Sequence, residues 1–250
     1  MKNFIICLSR IPESKATALN LKKQLKNYGV VAELFEGTYG NDAVEMMEQE
    51  KRVFHPWGIK GPNCPADPDD KSVVKASTPG VKGCFYSHYR LWKRCVELDQ
   101  PIIIWEDDIV LSRPFVPVEF QDVLVIALGH PTKSQGYLSY LEDPTGEPEA
   151  QEYRQASMPG CCGYVIKPHA AKKLVDTYAN TFLPADNAIN QYHVKIQIHN
   201  YIMGTALVEK DGKKSLTRTK YWNKLTQEKN SKKSLTRSRF WDKLIIKVKK

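Results

Sequence analysis

Pro101-Ile102-Ile103-Ile104-Trp105-Glu106-Asp107-Asp108-Ile109-Val110-Leu111 is the stretch on which the reading of the fold turns. Ile102 to Trp105 is apolar at every position, the pattern of a strand covered on both faces. The run then breaks abruptly into three carboxylates. In open α/β sheets ligands bind beyond the carboxyl ends of the strands, so Glu106, Asp107 and Asp108 are delivered to the edge where a site is expected. Clustered acids repel one another unless a cation joins them, and a hard divalent ion such as Mg²⁺ or Mn²⁺ would do so while organising a diphosphate. Glu106 and Asp108, two apart, stand in a DxD-like relation as candidate metal ligands, while Asp107 between them points elsewhere on an extended backbone. A solvated strand-to-loop turn can carry the same triplet, so the triplet alone does not separate the two readings.

Upstream, Val81, Cys84, Phe85, His88, Leu91, Trp92 and Cys95 follow the 3.6-residue period on one face of a helix that starts beyond Gly80 and ends before Pro101. At the start of the chain Phe4 to Leu8 reads as a buried strand. Pro12 then opens a helix with Ala18, Leu21, Leu25 and Tyr28 on one face and Gly29 as its stop, and Val30 to Phe35 follows as a second strand. Asp42 and Glu45 spell D-x-x-E, a capping box for a helix through Met46 and Met47. This β-α-β opening predicts a parallel, doubly wound sheet. Downstream, Val123 to Leu128 and Gly163 to Lys167 read as further buried strands. The second of them leads into a helix opened by Pro168 with Ala171, Leu174, Val175 and Tyr178 inward, and Val194 to Ile198 alternates as an edge strand would. Between these regions His55 to Gly80, with Pro56, Pro62, Pro65, Pro68 and Pro79, reads as a long surface loop, either a functional lid or a disordered segment.

With 250 residues, 42% of them hydrophobic, the chain can bury one substantial core. Its longest apolar runs fall far short of the roughly 20 residues of a membrane span, and Met1-Lys2-Asn3 leads into a strand rather than a signal peptide, so a cytoplasmic protein is expected. Cys7, Cys64, Cys84, Cys95, Cys161 and Cys162 show no CxxC spacing and read as reduced core residues; the adjacent pair Cys161-Cys162 lacks nearby partners for a zinc or redox role.

The net charge of +9 is unevenly placed: from Lys210 to Lys250 there are 15 Lys plus Arg against 3 acids, which leaves residues 1–209 at −3. The expected organisation is therefore an α/β domain over 1–209 and a basic tail over 210–250. The tail contains a duplication, Lys213 to Leu225 recurring as Lys232 to Leu244. Two copies are too few for a solenoid and suit an attachment module. Trp241, Leu244, Ile245 and Val248 fall at i, i+3, i+4 and i+7 with Lys243, Lys247 and Lys250 on other faces, the pattern of an amphipathic helix on an anionic membrane surface. That predicts peripheral attachment to the inner face of the cytoplasmic membrane. Nucleic acid binding and a solvated extension stand as the rival readings, since Lys and Arg interleaved with Tyr and Trp also suit a phosphate backbone.

Thr78 to Trp92, which contains Gly83-Cys84-Phe85-Tyr86-Ser87-His88, followed by Pro101 to Leu111, resembles glycosyltransferase family 25, the lipooligosaccharide-type transferases. That family shows a G-C-x-x-S-H helix, then an apolar strand and E-D-D. Ile5-Ile6-Cys7-Leu8-Ser9-Arg10 is similar to its opening strand and turn, and Phe35-Glu36-Gly37-Thr38-Tyr39-Gly40 to the end of its second strand. Gly163 to Leu174 and Leu183-Pro184-Ala185-Asp186 match later landmarks more loosely, so the likeness covers most of Met1 to about Glu209. It implies a GT-A-like, Rossmann-type sheet with flanking helices and an inverting mechanism. It also implies, commonly, UDP-galactose as donor and a saccharide of lipooligosaccharide or lipopolysaccharide as acceptor. Val81 stands where the family usually has Glu, and the proline-rich loop and duplicated tail are further departures, which leave acceptor and linkage open.

In that frame the divalent ion at Glu106 and Asp108 would offset the charge growing on a departing diphosphate. Inversion needs a base for the acceptor hydroxyl, and Asp186 is the candidate, with an N-cap role standing beside it as an equal reading. His88 is the second catalytic candidate, although a histidine on an apolar helix face is commonly a hydrogen-bonded core residue. Leu8 at the end of the first strand and Ser9 and Arg10 after it, together with Glu106 and Asp107, are placed to meet the nucleotide; an ordinary polar turn explains Ser9 and Arg10 equally well. His193 and His199 lie late in the chain, where a further metal ligand could arise, without a spacing that singles either out. Two other functions fit the same features. A metal-dependent nucleotidyltransferase is one, for which Ser9-Arg10-Ile11-Pro12 makes a poor phosphate loop, and a noncatalytic sugar-nucleotide or nucleic-acid binding protein is the other.

Overall fold

The strands that are apolar at every position have helices on both sides. This is seen in the computed structural model, which describes residues 1–57, 77–129, 147–153, 156–158 and 160–206. Along β1 (Lys2–Cys7), β4 (Ile102–Trp105), β6 (Val123–Leu128) and β8 (Cys161–Ile166) side chains alternate between two cores, while β10 (Ile196–His199) gives Ile196 and Ile198 to the first alone. Phe4, Ile102, Ile104, Val123, Val125, Tyr164 and Ile166 join one core. Ile5, Cys7, Ile103, Trp105, Leu124, Ile126 and Val165 join the other. The period of two along a strand thus sorts one continuous apolar run into two interfaces.

The first core is closed by α2 (Gly40–Gln49), α3 (Pro79–Leu98) and α4 (Pro168–Thr177), which contribute Met47, Phe85, Leu91, Trp92, Cys95, Ala171 and Leu174. The second is closed by α1 (Pro12–Asn27) through Ala18, Leu21 and Leu25. Tyr28, expected on the same inward face, is 40% exposed, because α1 stops at Asn27 and Gly29 turns the chain with φ 74°. The second strand, β2, is shifted to Ala32–Glu36 and leaves Val31 outside. No capping box forms on α2: Tyr39 is its N-cap, no side chain closes the end, and Asp42 pairs with Arg10 instead. α3 begins earlier than expected, since Thr78 Oγ1 accepts from the Val81 N–H at 3.4 Å and Pro79 supplies the first turn, so Pro79 and Gly80 are helical rather than loop. The rest of the expected long loop, residues 58–76, lies outside the described residues, as do Cys64 and the duplicated tail.

The α/β, Rossmann-type architecture is observed, with one correction to the expectation of a parallel sheet. The strand order is β2-β1-β4-β8-β6-β10-β7, where β7 is Ala150–Glu152, and β11 (Gly204–Ala206) pairs with β6 and with β5 (Ile109–Leu111). β1 is parallel to β2 and β4, and β6 to β10 and β11, but β8 runs antiparallel to both β4 and β6. Apolar content does not distinguish strand direction, which is why the sequence could not show this reversal. β10 lies between β6 and β7 rather than at an edge, and its polar Gln197 is accommodated by accepting the Gln121 N–H at 2.7 Å. β3 (Val53–Phe54) and β9 (Thr181–Phe182) form a separate parallel pair.

The reversal of β8 positions the site. It sets the amino end of β8 beside the carboxyl end of β4: Trp105 pairs with Gly163, and the Glu106 N–H donates to Cys162 O at 2.8 Å. A Cβ at Gly163 would stand 2.8 Å from the Trp105 ring and 2.9 Å from Ala127 Cβ, so only glycine lets the three strands close here. Among the described residues no helix is long and apolar enough to cross a membrane. Cys7, Cys84, Cys95 and Cys161 are thiols, buried or partly so.

Candidate active site

The alternation that sorts β4 into two cores continues past its end. Trp105 faces α1, so Glu106 turns to the α3 side, where its Oε1 lies 3.7 Å from His88 Nε2. Asp107 turns back toward α1 and hydrogen-bonds with Ser14. That same Ser14, itself buried, accepts the Leu8 N–H at 2.9 Å, so it ties the end of β1 to the carboxylate triplet. Asp108 Oδ1 is buried with no hydrogen-bond partner among the described residues.

Electrostatically the triplet is strained in the way a cation relieves. Burial, reinforced by Asp107 and then Asp186, pushes Glu106 up to about 8. Burial and then Glu106 raise Asp108 to about 7. Asp107 rises to about 6, mainly through burial, with the Ser14 hydrogen bond opposing the rise. Burial penalises the ionised form and each neighbouring charge adds to the penalty. The donor set is made of hard oxygens, one of them unpartnered, and the Glu106 side chain keeps 34% of its exposure, so an ion has a route in from solvent. Glu106 and Asp108 therefore fit a hard divalent cation of the Mg²⁺ or Mn²⁺ kind.

α3 carries the opposite wall. Ser87 Oγ donates to Gly83 O and accepts the Thr38 N–H, both at 2.8 Å, and so pins the helix to the loop after β2. Gly83 permits that approach, because a Cβ there would sit 2.6 Å from Thr38 O. One residue on, His88 is buried, with Nδ1 2.9 Å from Tyr164 Oη. Burial pulls its pKa down to about 4, against the opposing pull of Asp186, so the ring is neutral near pH 7. Cys84, one turn earlier, brings its sulfur into a group with His88 and Glu106 whose ligand atoms lie within 4.8 Å of one another.

Asp186 lies in α5 (Ala185–Ala188), whose N-cap is Pro184 with no side-chain cap, so the N-cap reading of Asp186 does not apply. Its charge acts on Glu106, His88 and Cys84, which puts it in the same neighbourhood. Ser9 and Arg10 follow β1 at the same sheet edge. The Ser9 N–H donates to Glu36 Oε1 at 3.3 Å, and Arg10 pairs with Asp42 at 3.1 Å while stacking over Tyr39 at 3.8 Å. The structure thus gathers Glu106, Asp107, Asp108, His88 and Asp186, and holds the Leu8–Arg10 turn by its neighbours. The other two histidines lie elsewhere. His193 stacks on Trp57 with centroids 4.9 Å apart, and His199 has both ring nitrogens engaged, Nε2 with Val116 O and Nδ1 with the Tyr201 N–H, each at 2.9 Å.

Comparison with known proteins bears on this arrangement. Residues 1–189 match the family described as glycosyltransferase family 25 (LPS biosynthesis protein). The chain belongs to glycosyltransferase family 25. Among similar proteins, the lipooligosaccharide biosynthesis protein lex-1 of Haemophilus influenzae is 25% identical over 142 residues, 50% of this chain and 46% of the relative. A glycosyltransferase 25 family member of Drosophila pseudoobscura pseudoobscura is 33% identical over 107 residues, 42% of this chain and 15% of the relative. The lipooligosaccharide biosynthesis protein lic2B of Haemophilus influenzae is 54% identical over 37 residues, 14% of each chain. The chain therefore spans less than half the length of the relatives it matches.

Three residues of this family 25 site escape a linear reading. Ser14 is a polar residue in the first turn of α1 and carries no motif. Tyr164 sits in a strand that reads as ordinary core. Cys84 sits on an apolar helix face. The one available signal was the i, i+4 spacing of Cys84 and His88, which places both on one side of α3.

Proposed function

We propose that this family 25 chain is an inverting glycosyltransferase. It would move a hexose, galactose from UDP-galactose, onto a saccharide of lipooligosaccharide or lipopolysaccharide, with Mn²⁺ or Mg²⁺ at Glu106 and Asp108. The observation that carries the reading is the buried, unpartnered Asp108 oxygen beside Glu106 at the carboxyl end of β4. The names of two matched relatives, both lipooligosaccharide biosynthesis proteins, support the acceptor class. When bound, the cation would neutralise charge on the departing diphosphate.

The chain's own residues would do the rest. Ser14 holds Asp107 on the α1 side, away from the shared face of Glu106 and Asp108. The turn Leu8-Ser9-Arg10 lines the approach to the nucleotide. Asp186 accepts the acceptor hydroxyl proton as that oxygen bonds to the anomeric carbon and the bond to the diphosphate oxygen breaks, a single displacement that inverts configuration. His88, buried and neutral near pH 7, stands beside Glu106 at 3.7 Å.

The test is a panel of UDP-sugars with Mn²⁺, read by mass spectrometry against galactose, glucose and N-acetylglucosamine acceptors. Transfer from UDP-galactose is expected. Transfer from another donor would replace galactose, and UDP binding without turnover on any pair would favour a noncatalytic binding protein. Incorporation of a nucleotidyl group would instead identify a nucleotidyltransferase.

A further inference from the structure

A line of buried polar atoms runs from the core to the carboxylates. Trp92 Nε1 lies 2.9 Å from Tyr164 Oη, and Tyr164 Oη lies 2.9 Å from His88 Nδ1. His88 Nε2, on the far side of the ring, is buried without a hydrogen-bond partner and faces Glu106 Oε1 at 3.7 Å. The indole N–H can only donate, so it occupies one lone pair of the Tyr164 oxygen. The phenol has one hydrogen to place, and among the described residues His88 Nδ1 is the acceptor within reach.

The other tautomer fails on the same atoms. Were the ring hydrogen on Nδ1, two N–H groups would converge on the phenol oxygen and the buried phenol O–H would lose its acceptor. Buried donors without acceptors are strongly disfavoured. Which ring nitrogen of a histidine carries hydrogen is set by the bond made by the other, and here that bond is a donation from Tyr164.

We infer that Trp92 and Tyr164 lock His88 in the Nε2–H tautomer, so that His88 is a fixed hydrogen-bond donor aimed at Glu106, a positioning residue for that carboxylate and not a proton acceptor. A small rotation of Glu106 closes the gap to hydrogen-bonding distance. The same lock opposes a soft metal ion among Cys84, His88 and Glu106, because such an ion needs the Nε2 lone pair bare. The link from this lock to catalysis rests on the proposed function; the tautomer itself does not.

The test is a long-range ¹H–¹⁵N correlation spectrum of the ¹⁵N-histidine-labelled full chain in EDTA without donor or acceptor. Of the six histidines, His88 is identified by its loss in His88→Gln. A protonated Nε2 and a bare, hydrogen-bond-accepting Nδ1 are expected, with the Nδ1 resonance displaced in Tyr164→Phe. A protonated Nδ1 overturns the inference. So does Zn²⁺ added after EDTA removal, if it displaces the Nε2 hydrogen in wild type but not in Cys84→Ser. The wild-type spectrum decides even if Tyr164→Phe does not fold. For the functional half, His88→Gln, whose amide nitrogen reaches the Nε2 position, should keep kcat within about 10-fold of wild type, whereas His88→Asn, which reaches only the Nδ1 position, should lose about 100-fold in kcat with the donor KM little changed. The reverse order would overturn the positioning role. A protonated Nε2 in a chain that transfers no sugar would sink the proposed reaction and leave the lock standing.

Discussion

At the scale of single residues the carboxylate triplet is unusual in that each acid meets a different environment. Glu106 faces α3, Asp107 is held by Ser14, and Asp108 has an oxygen with no partner among the described residues. If Glu106 and Asp108 hold a divalent ion, Glu106→Ala or Asp108→Ala should lower transfer by more than about 100-fold and abolish Mn²⁺-dependent UDP binding in the same variant. Calorimetry that finds full UDP affinity in EDTA would sink that assignment. Asp186→Asn tests the base differently: transfer should fall by about 100-fold or more while UDP affinity stays near wild type, and ordinary turnover would remove Asp186 from the role.

The raised acid constants also make a statement about stability. Glu106 is lifted from 4.5 to about 8, so between those values the folded metal-free chain binds more protons than the unfolded one. By linkage, the Glu106 contribution to stability is then lost as pH rises through this window. In EDTA the urea midpoint of wild type should fall relative to that of Glu106→Gln between pH 5 and pH 8.5, while the buried histidines His88 and His193, held below their usual range, act in the opposite sense in both chains, and Mn²⁺ should restore wild-type stability at the upper end. Equal pH dependence of the midpoint in wild type and Glu106→Gln would contradict the burial of Glu106.

At the scale of elements α3 is the part that couples the site to the fold. Its carboxylate-facing residue, His88, is placed by two neighbours on the helix: Ser87, which bridges to Thr38, and Gly83, which lets the helix approach that loop. Ser87→Ala leaves the buried Thr38 N–H without its acceptor and should cost about 1–3 kcal/mol in urea unfolding. Gly83→Ala forces a Cβ to within 2.6 Å of a backbone oxygen, and should cost at least about as much because neither backbone can yield without moving α3. If both variants unfold at the wild-type midpoint, the clamp is not what holds α3 in place.

At the scale of the whole molecule the described residues form helical layers on both faces of a mixed sheet, with the acidic group at the end of β4. The basic tail over 210–250 lies outside the described residues, and its proposed membrane role rests on its charge, its duplication and the spacing of Trp241, Leu244, Ile245 and Val248. Each basic side chain near an anionic surface contributes on the order of 1 kcal/mol, so the full chain should float with vesicles containing anionic lipid and not with neutral ones. Equal recovery with both vesicle types would end that proposal.

Much of this protein was legible along the chain because the signals are local. The period of α3, the four apolar residues of β4 and the acids after them all follow from burial patterns that a strand or helix imposes on its own residues. Other features depend on what comes alongside. The antiparallel course of β8, the interior place of β10 and the failed capping box at Asp42 are set by partners distant in sequence, to which apolar periodicity is blind. So too for the site: the acids could be read as a cluster, but their separation onto two sides of the sheet, the Ser14 bond to Asp107 and the Trp92–Tyr164–His88 line exist only where β1, β4, β8, α1 and α3 converge. Local sequence determined which residues are buried and where charge appears. Tertiary packing decided which polar atoms find partners, because hydrogen-bond satisfaction in a core is a property of neighbours in space.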